Sequence, residues 1–254
     1  MPREKLEASR NKETGAGETR GPMFEHPCEE EPVNWLKINT RQAPVTFAMI
    51  AACLVLWIAT ALQSGSFYDN YYGSELAREW TLWGPDVFNG SWYQVVTSSF
   101  IHIGLGHLLV NMAMLLFIGP EVERALGSGL FAIAYATGVL GSAAAVLAMN
   151  FLVPTAGASG VLFALMILLV GVFKARGLNL TSPLTLLAAN VVYSFIQPDV
   201  SLWGHLGGVF AGAVMVFAVT LRNPRARWWG TISCCALSVV AVWWALPPGA
   251  YSTL

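Results

Sequence analysis

From Ala125 to Phe173 the chain carries no Asp, Glu, Lys or Arg. A water-soluble core has no use for so long an apolar segment. A bilayer does: its hydrocarbon slab is about 30 Å thick and takes roughly 20 apolar residues per crossing helix. The composition of the whole chain agrees: its 254 residues are 55% hydrophobic and 11% charged, against about 25% charged in an ordinary soluble domain. The expected fold class is all-α, a polytopic membrane helix bundle. A net charge of −1 with no basic cluster gives no reason to expect a nucleic-acid partner.

Residues 1–43 hold about half of the charges, interspersed with Gly, Pro and Glu, and read as a mostly disordered tail. Seven apolar runs follow, at roughly 44–63, 105–119, 129–149, 159–173, 180–197, 203–221 and 228–246. The first begins only at Pro44, so no cleavable signal is expected. The 64–104 connection holds Trp80, Trp83 and Trp92, residues suited to a membrane interface. With the N-terminus in the cytoplasm and alternating spans, thirteen of the 14 Lys and Arg fall inside and only Arg78 outside. That segregation supports seven spans, a cytoplasmic N-terminus and an extracytoplasmic C-terminus in a cell membrane. The cysteines, Cys28, Cys53, Cys234 and Cys235, have no zinc-site spacing and read as small apolar fillers. No metal and no cofactor are expected.

Three polar groups lie at one depth. Counting from the cytoplasmic charges at about 1.5 Å per residue, Ser159 stands roughly 22 Å above Lys174, His205 roughly 25 Å above Arg222, and His107 roughly 21 Å above Glu121. The second, fourth and sixth runs share a direction, so these groups can line one cavity some 5–10 Å below the outer surface. Asn111 lies one turn deeper than His107 on the same face. His102 lies nearby, as a loop contact or a neighbour of the site; His26 lies in the tail. The fourth run is too short to cross alone, so its start, at Ser159, must be buried in protein or open to water. Amides at a helix start have no intrahelical acceptor and favour negative charge. Gly157 and Gly160 permit a tight turn and close approach. Gly208 and Gly212 share a face with His205, and this small-residue face can meet Gly160 and Ala164 closely enough for the imidazole to reach Ser159. A serine hydroxyl needs such a base to become a nucleophile.

These residues resemble the rhomboid family of intramembrane serine proteases. "GASG" at 157–160 is similar to its nucleophile motif, and His205, Gly208 and Gly212 to its His-x-x-Gly-x-x-x-Gly motif. His107 with Asn111, and Gly119, Glu123 and Gly127, match two further motifs. The resemblance covers roughly 44–222 and implies a six-helix protease core, leaving the tail 1–43 and a segment 223–254 with a cytoplasmic linker, a seventh C-terminal helix and a short outer end. It implies Ser159 as nucleophile and His205 as general base. The Ser159 amide, His107 and Asn111 would form the oxyanion hole. Phe163 would stack on His205 where relatives often have Tyr. No third acidic member is implied, and the nearest downstream acid, Asp199, falls in an outer loop. Glu123 reads as structural, bonding turn amides or Arg124. The expected partners are transmembrane protein substrates and the lipid bilayer.

One departure concerns the first outer loop, where Gln94 stands at a position commonly Arg. Gln lacks the charge and the five-donor fork. The expectation is a loop held differently, depending more on Trp80, Trp83 and Trp92 in the interface, with Gln94→Ala costing within about 1 kcal/mol and Trp92→Ala costing more because its side chain packs against the loop or the second span. The soluble hydrolase elbow Gly-x-Ser-x-Gly is not matched, because Val161 occupies the second glycine position. Two other function classes compete: a catalytically silent rhomboid-like protein that binds membrane clients, and a channel or transporter using the polar cavity. Both Ser159 and His205 being present argues against the first. The near absence of acidic residues in the spans argues against an ion-coupled carrier.

Overall fold

The computed structural model describes residues 40–197 and 200–247. Tail residues through 39, with His26 and Cys28, lie outside the described residues, as does Asp199. Among the described residues there are ten α-helices and no named strand. Four are long and apolar enough to cross a bilayer by length and composition: α1 (Pro44–Ser64), α5 (Gly104–Leu126), α6 (Ser128–Met149) and α9 (Leu202–Val219). Two shorter apolar helices complete the expected core, α7 (Ser159–Ala175) and α8 (Thr181–Ile196). The last helix, α10 (Pro224–Trp244), has 21 residues but begins with Arg225 and Arg227 and does not reach the apolar content of the four. The expectation of an all-α membrane bundle holds.

The bundle is organised around α7. Eleven of its 17 residues are buried, including Leu162, Leu165, Met166 and Leu168. It packs against α5, α6, α8 and α9, so a helix too short to cross alone is covered on its flanks by protein. The outer helices carry the opposite pattern, with Val55 and Leu62 of α1 and Phe210 and Phe217 of α9 directed outward. In water such a surface would be an aggregation hazard; against lipid it is the expected face.

Glycines set how closely these helices approach. A Cβ on Gly208 would overlap the Gly160 carbonyl oxygen, and one on Gly212 would stand 2.7 Å from the Ala164 carbonyl oxygen. The α7–α9 pair is thus in backbone contact along the stripe that the His205 motif supplies. On its other side α9 meets α6 just as closely, since a Cβ on Gly141 would lie 2.6 Å from Ala211 Cβ.

Two boundaries differ from expectation. The second run was read as ending at 119, but α5 continues through Pro120 to Leu126. Pro120 forfeits one helix hydrogen bond, and the extension carries Glu123 to the start of α1. There its carboxylate accepts from the Val45 and Thr46 amides (3.0 and 2.8 Å), the Thr46 hydroxyl (2.7 Å) and the Ser128 hydroxyl (2.7 Å). Gly119 leaves room for Thr46, whose Cγ2 would lie 2.5 Å from a Cβ there. Gly127, at φ +80°, turns the chain directly into α6. The motif spanning 119–127 is therefore a clip between α1, α5 and α6. The 64–104 connection also has more structure than expected. It folds into α2 (Glu75–Trp80), α3 (Gly84–Phe88), α4 (Gln94–Thr97) and a 3-10 turn at Ser98–Phe100.

Candidate active site

Ser159 is the first residue of α7, and Gly157, at φ +123°, makes the turn that delivers it. Few non-glycine residues adopt that conformation. The space above Gly157 is occupied as well, since a Cβ would fall 2.7 Å from His107 Nε2. This puts the His107 ring of α5 directly over the turn before Ser159. The Gly157 amide donates to the Ser98 carbonyl (2.9 Å), which ties the turn to the 64–104 connection. Ala158 provides no side-chain cap, and the first amides of a helix have no intrahelical acceptor.

His205 lies three residues into α9, whose start is capped by the Ser201 hydroxyl accepting from the Gly204 amide (3.2 Å). Its Nε2 is 2.8 Å from Ser159 Oγ. Its ring stacks on Phe163, one turn further along α7, with centroids 4.4 Å apart and planes 25° from parallel. Its Nδ1 lies 2.7 Å from the Ser194 hydroxyl of α8. The imidazole is buried, and its face and both ring nitrogens each have a defined neighbour.

Asn111 is buried, and its Nδ2 donates to the His107 carbonyl at 2.8 Å. An amide has two donors, so one N–H remains for a further acceptor. The Asn111 Oδ1 is buried without a partner. His102 is buried beside His107, edge to face at a centroid distance of 5.2 Å, with Nδ1 3.2 Å from the Phe100 carbonyl and Nε2 unpartnered. Burial, helped by the adjacent His107, pushes its pKa down to about 3. His102 is thus a neutral ring packed behind His107 and belongs to the loop that enters α5.

The sequence reading thus anticipated the meeting of Ser159 and His205, the Phe163 stack and the glycine stripe, but not His107 lying over Gly157. It missed Ser194, although the signal was available. Ser194 is two residues from the C-terminal end of α8 and His205 three from the N-terminal end of α9, so the depth matching used for the other spans applies to it too.

Gln94 requires a correction. It is 1% exposed. Its Oε1 accepts from the Trp83 amide (3.1 Å), and its Nε2 donates to the Glu79 carbonyl (3.0 Å) and the Asp86 carboxylate (3.1 Å). A neutral amide, with one acceptor and two donors, holds three segments of the loop together. Trp83 and its neighbours in turn hold the segment before Ser159. Leu82 and Thr155 pair as an antiparallel bridge (3.0 and 2.9 Å), and the Gly84 amide donates to the Phe151 carbonyl (3.0 Å). Trp92 packs against the cluster that holds Leu82, Val87 and Val95, in line with the loop contact expected of it, and also stacks on Trp243 of α10 at 5.7 Å.

A half-buried serine at the start of a short helix, paired with a buried imidazole from the neighbouring helix of an apolar bundle, describes a class of polytopic membrane protein with hydrolase-like chemistry available to it. Comparison with known proteins makes the class specific. A Rhomboid domain family model matches residues 89–222, more than half of the chain. The chain belongs to the rhomboid family. Rhomboid protease GluP of Bacillus subtilis (strain 168) is 29% identical over 203 residues, covering 78% of this chain but 38% of its own length. YdcA of the same strain is 28% identical over 194 residues, covering 73% of this chain and 93% of its own. Rhomboid protease GlpG of Salmonella paratyphi A (strain ATCC 9150 / SARB42) is 28% identical over 201 residues, covering 75% and 68% respectively.

Proposed function

We propose that this chain is an intramembrane serine endopeptidase that hydrolyses peptide bonds in or near transmembrane segments of other membrane proteins. The observation that carries this reading is the 2.8 Å approach of His205 Nε2 to Ser159 Oγ. It is supported by family membership and by relatives that are named proteases.

In this mechanism Ser159 Oγ attacks the scissile carbonyl carbon as its proton passes to His205 Nε2. The carbonyl oxygen becomes an oxyanion, received by the Ser159 amide at the α7 start, the free N–H of Asn111 and a ring N–H of His107. The imidazolium then returns the proton to the leaving amine, and the C–N bond breaks to leave an acyl ester on Ser159. Water, deprotonated by His205, cleaves the ester and regenerates the hydroxyl. Phe163 holds the plane of the base throughout. Neither metal nor cofactor takes part.

The same reading assigns 44–222 as the protease core, with 1–43 a cytoplasmic tail and α10 a seventh span that takes the C-terminus outside. The basic-residue segregation supports that orientation. A fluorophosphonate probe tests the chemistry. The expected result is labelling of the detergent-solubilised wild type and none of Ser159→Ala or His205→Ala, with both variants melting as the wild type does. A transmembrane substrate in proteoliposomes should be cut by the wild type alone. A wild type that captures substrates yet neither labels nor cleaves would instead establish the client-binding reading.

A further inference from the structure

Ser194 is one of two buried residues on α8, the other being Pro183. The rest of the helix is largely exposed to the surroundings of the bundle, so a buried hydroxyl there calls for a reason. Its oxygen has two neighbours, the Asn190 carbonyl at 2.8 Å and His205 Nδ1 at 2.7 Å. A serine hydroxyl carries one proton, and a carbonyl can only accept.

Two arrangements are possible along the line Asn190–Ser194–His205–Ser159. In one, the Ser194 proton points to Nδ1. Nε2 must then carry the ring proton and donate to Ser159, and the Asn190 carbonyl loses its hydroxyl donor. In the other, Ser194 donates to Asn190 and accepts from Nδ1–H, which leaves the Nε2 lone pair to accept from the Ser159 hydroxyl. The second makes three hydrogen bonds across these contacts and the first two. In a buried site an unmade bond is costly, so the second arrangement is favoured. It is also the arrangement in which His205 is a base toward Ser159 rather than a donor to it. Fixing which ring nitrogen bears the proton is the established use of a group on the far side of a catalytic histidine, most often a carboxylate. Here a hydroxyl from a neighbouring helix, itself oriented by its own helix's carbonyl, occupies that position.

We infer that Ser194 is a positioning residue that locks His205 in the Nδ1-protonated tautomer and aims its Nε2 lone pair at Ser159. The inference rests on the proposed protease reading for its catalytic consequence, although the tautomer itself is a property of the resting protein.

Nitrogen-15 NMR of the full chain with labelled histidine, in detergent, reads the tautomer directly, with the His205 signals assigned by their loss in His205→Ala. The wild type should show a protonated Nδ1 and an unprotonated Nε2 at His205, and Ser194→Ala a mixture of tautomers. Fluorophosphonate labelling and substrate cleavage supply the second readout. Ser194→Ala should lower kcat about 10-fold, the value of one ordinary hydrogen bond, with KM unchanged. Ser194→Thr should restore both rate and tautomer, while the isosteric Ser194→Val should not. An Nε2-protonated His205 in the wild type would overturn the inference. So would an Ala variant with unaltered rate and tautomer, or a Thr variant no better than Val. A wild type inert to the probe would instead overturn the protease reading and leave the tautomer result standing.

Discussion

At the scale of single residues, Gln94 and Asn111 are the informative cases. Judged by its type, Gln94 was a weak substitute for arginine; judged by its surroundings, it satisfies a backbone amide, a carbonyl and a carboxylate at once. Gln94→Ala should therefore lower stability by roughly 2–3 kcal/mol, not by the fraction expected for one exposed bond, because it leaves several buried groups unpaired. Thermal unfolding in a fixed detergent measures this, and a loss below about 0.5 kcal/mol would mean that water takes over the amide's partners. Asn111→Ala should reduce cleavage by about 10²–10³ with little change in KM, as for the loss of one oxyanion donor among several. Single-turnover kinetics would detect it; an unchanged rate would confine Asn111 to its bond with the His107 carbonyl. The residues legible in the sequence, Ser159, His205, His107 and Phe163, have chemistry that depends on depth and helix phase, which spacing encodes. Gln94 works through partners on other elements, which no spacing within its own segment reveals, whereas Ser194 shows itself once the depth matching is extended to α8.

Among the elements, the closest contact is the one between α7 and α9. Gly208→Val would drive a branched side chain into the Gly160 carbonyl, and backbone cannot yield as a flexible side chain can. The helices must separate, carrying His205 away from Ser159. The expectation is a helical, membrane-inserted protein whose probe labelling falls about 10²-fold or more, since a shift near 1 Å is enough for that. Circular dichroism beside labelling separates this from unfolding, and near-normal labelling would show that the pair tolerates a wider gap. The clip at Glu123 behaves differently. Glu123→Ala should cost about 3 kcal/mol by freeing two amides and two hydroxyls, yet molecules that remain folded should label at the wild-type rate, because the clip lies at the far end of α5 from His107. Helix positions were readable from apolar periodicity and from the Gly and Pro at their ends. The extension of α5 past Pro120 was not, because a proline normally signals a stop and the compensating bonds come from α1.

For the whole molecule, orientation is the open property, and the chain carries its own reporter. Cys53 and Cys234 are buried in the bundle, whereas Cys28 lies in the N-terminal tail. With Cys53, Cys234 and Cys235 replaced by Ala, a membrane-impermeant maleimide should label Cys28 only after the cells are opened. A cysteine introduced by Thr253→Cys, in a variant also lacking Cys28, should label in intact cells. Labelling of both from the same side would mean an even number of spans and would remove α10 from the crossing helices. The all-α membrane class was plain from composition alone, because the absence of charge over so long a segment admits few solutions. The status of the last helix was less legible because its arginines and tryptophans fill the turn where a span would begin.

The bridge between Leu82 and Thr155 has a consequence for the order in which the protein is made. The segment that ends in Ser159 is held by strand-like pairing to a stretch emerging from the ribosome some seventy residues earlier. Contacts so distant along the chain form after local ones, since the intervening loop must first be closed. In this case the intervening chain includes a helical hairpin, α5 and α6, that has to enter the bilayer and return before Thr155 can find Leu82. His205 arrives later still. On the proposed protease reading, a nascent chain halted before α9 would carry Ser159 without its base, and the membrane around the translocation machinery would meet no armed nucleophile until the first turn of α9 is in place.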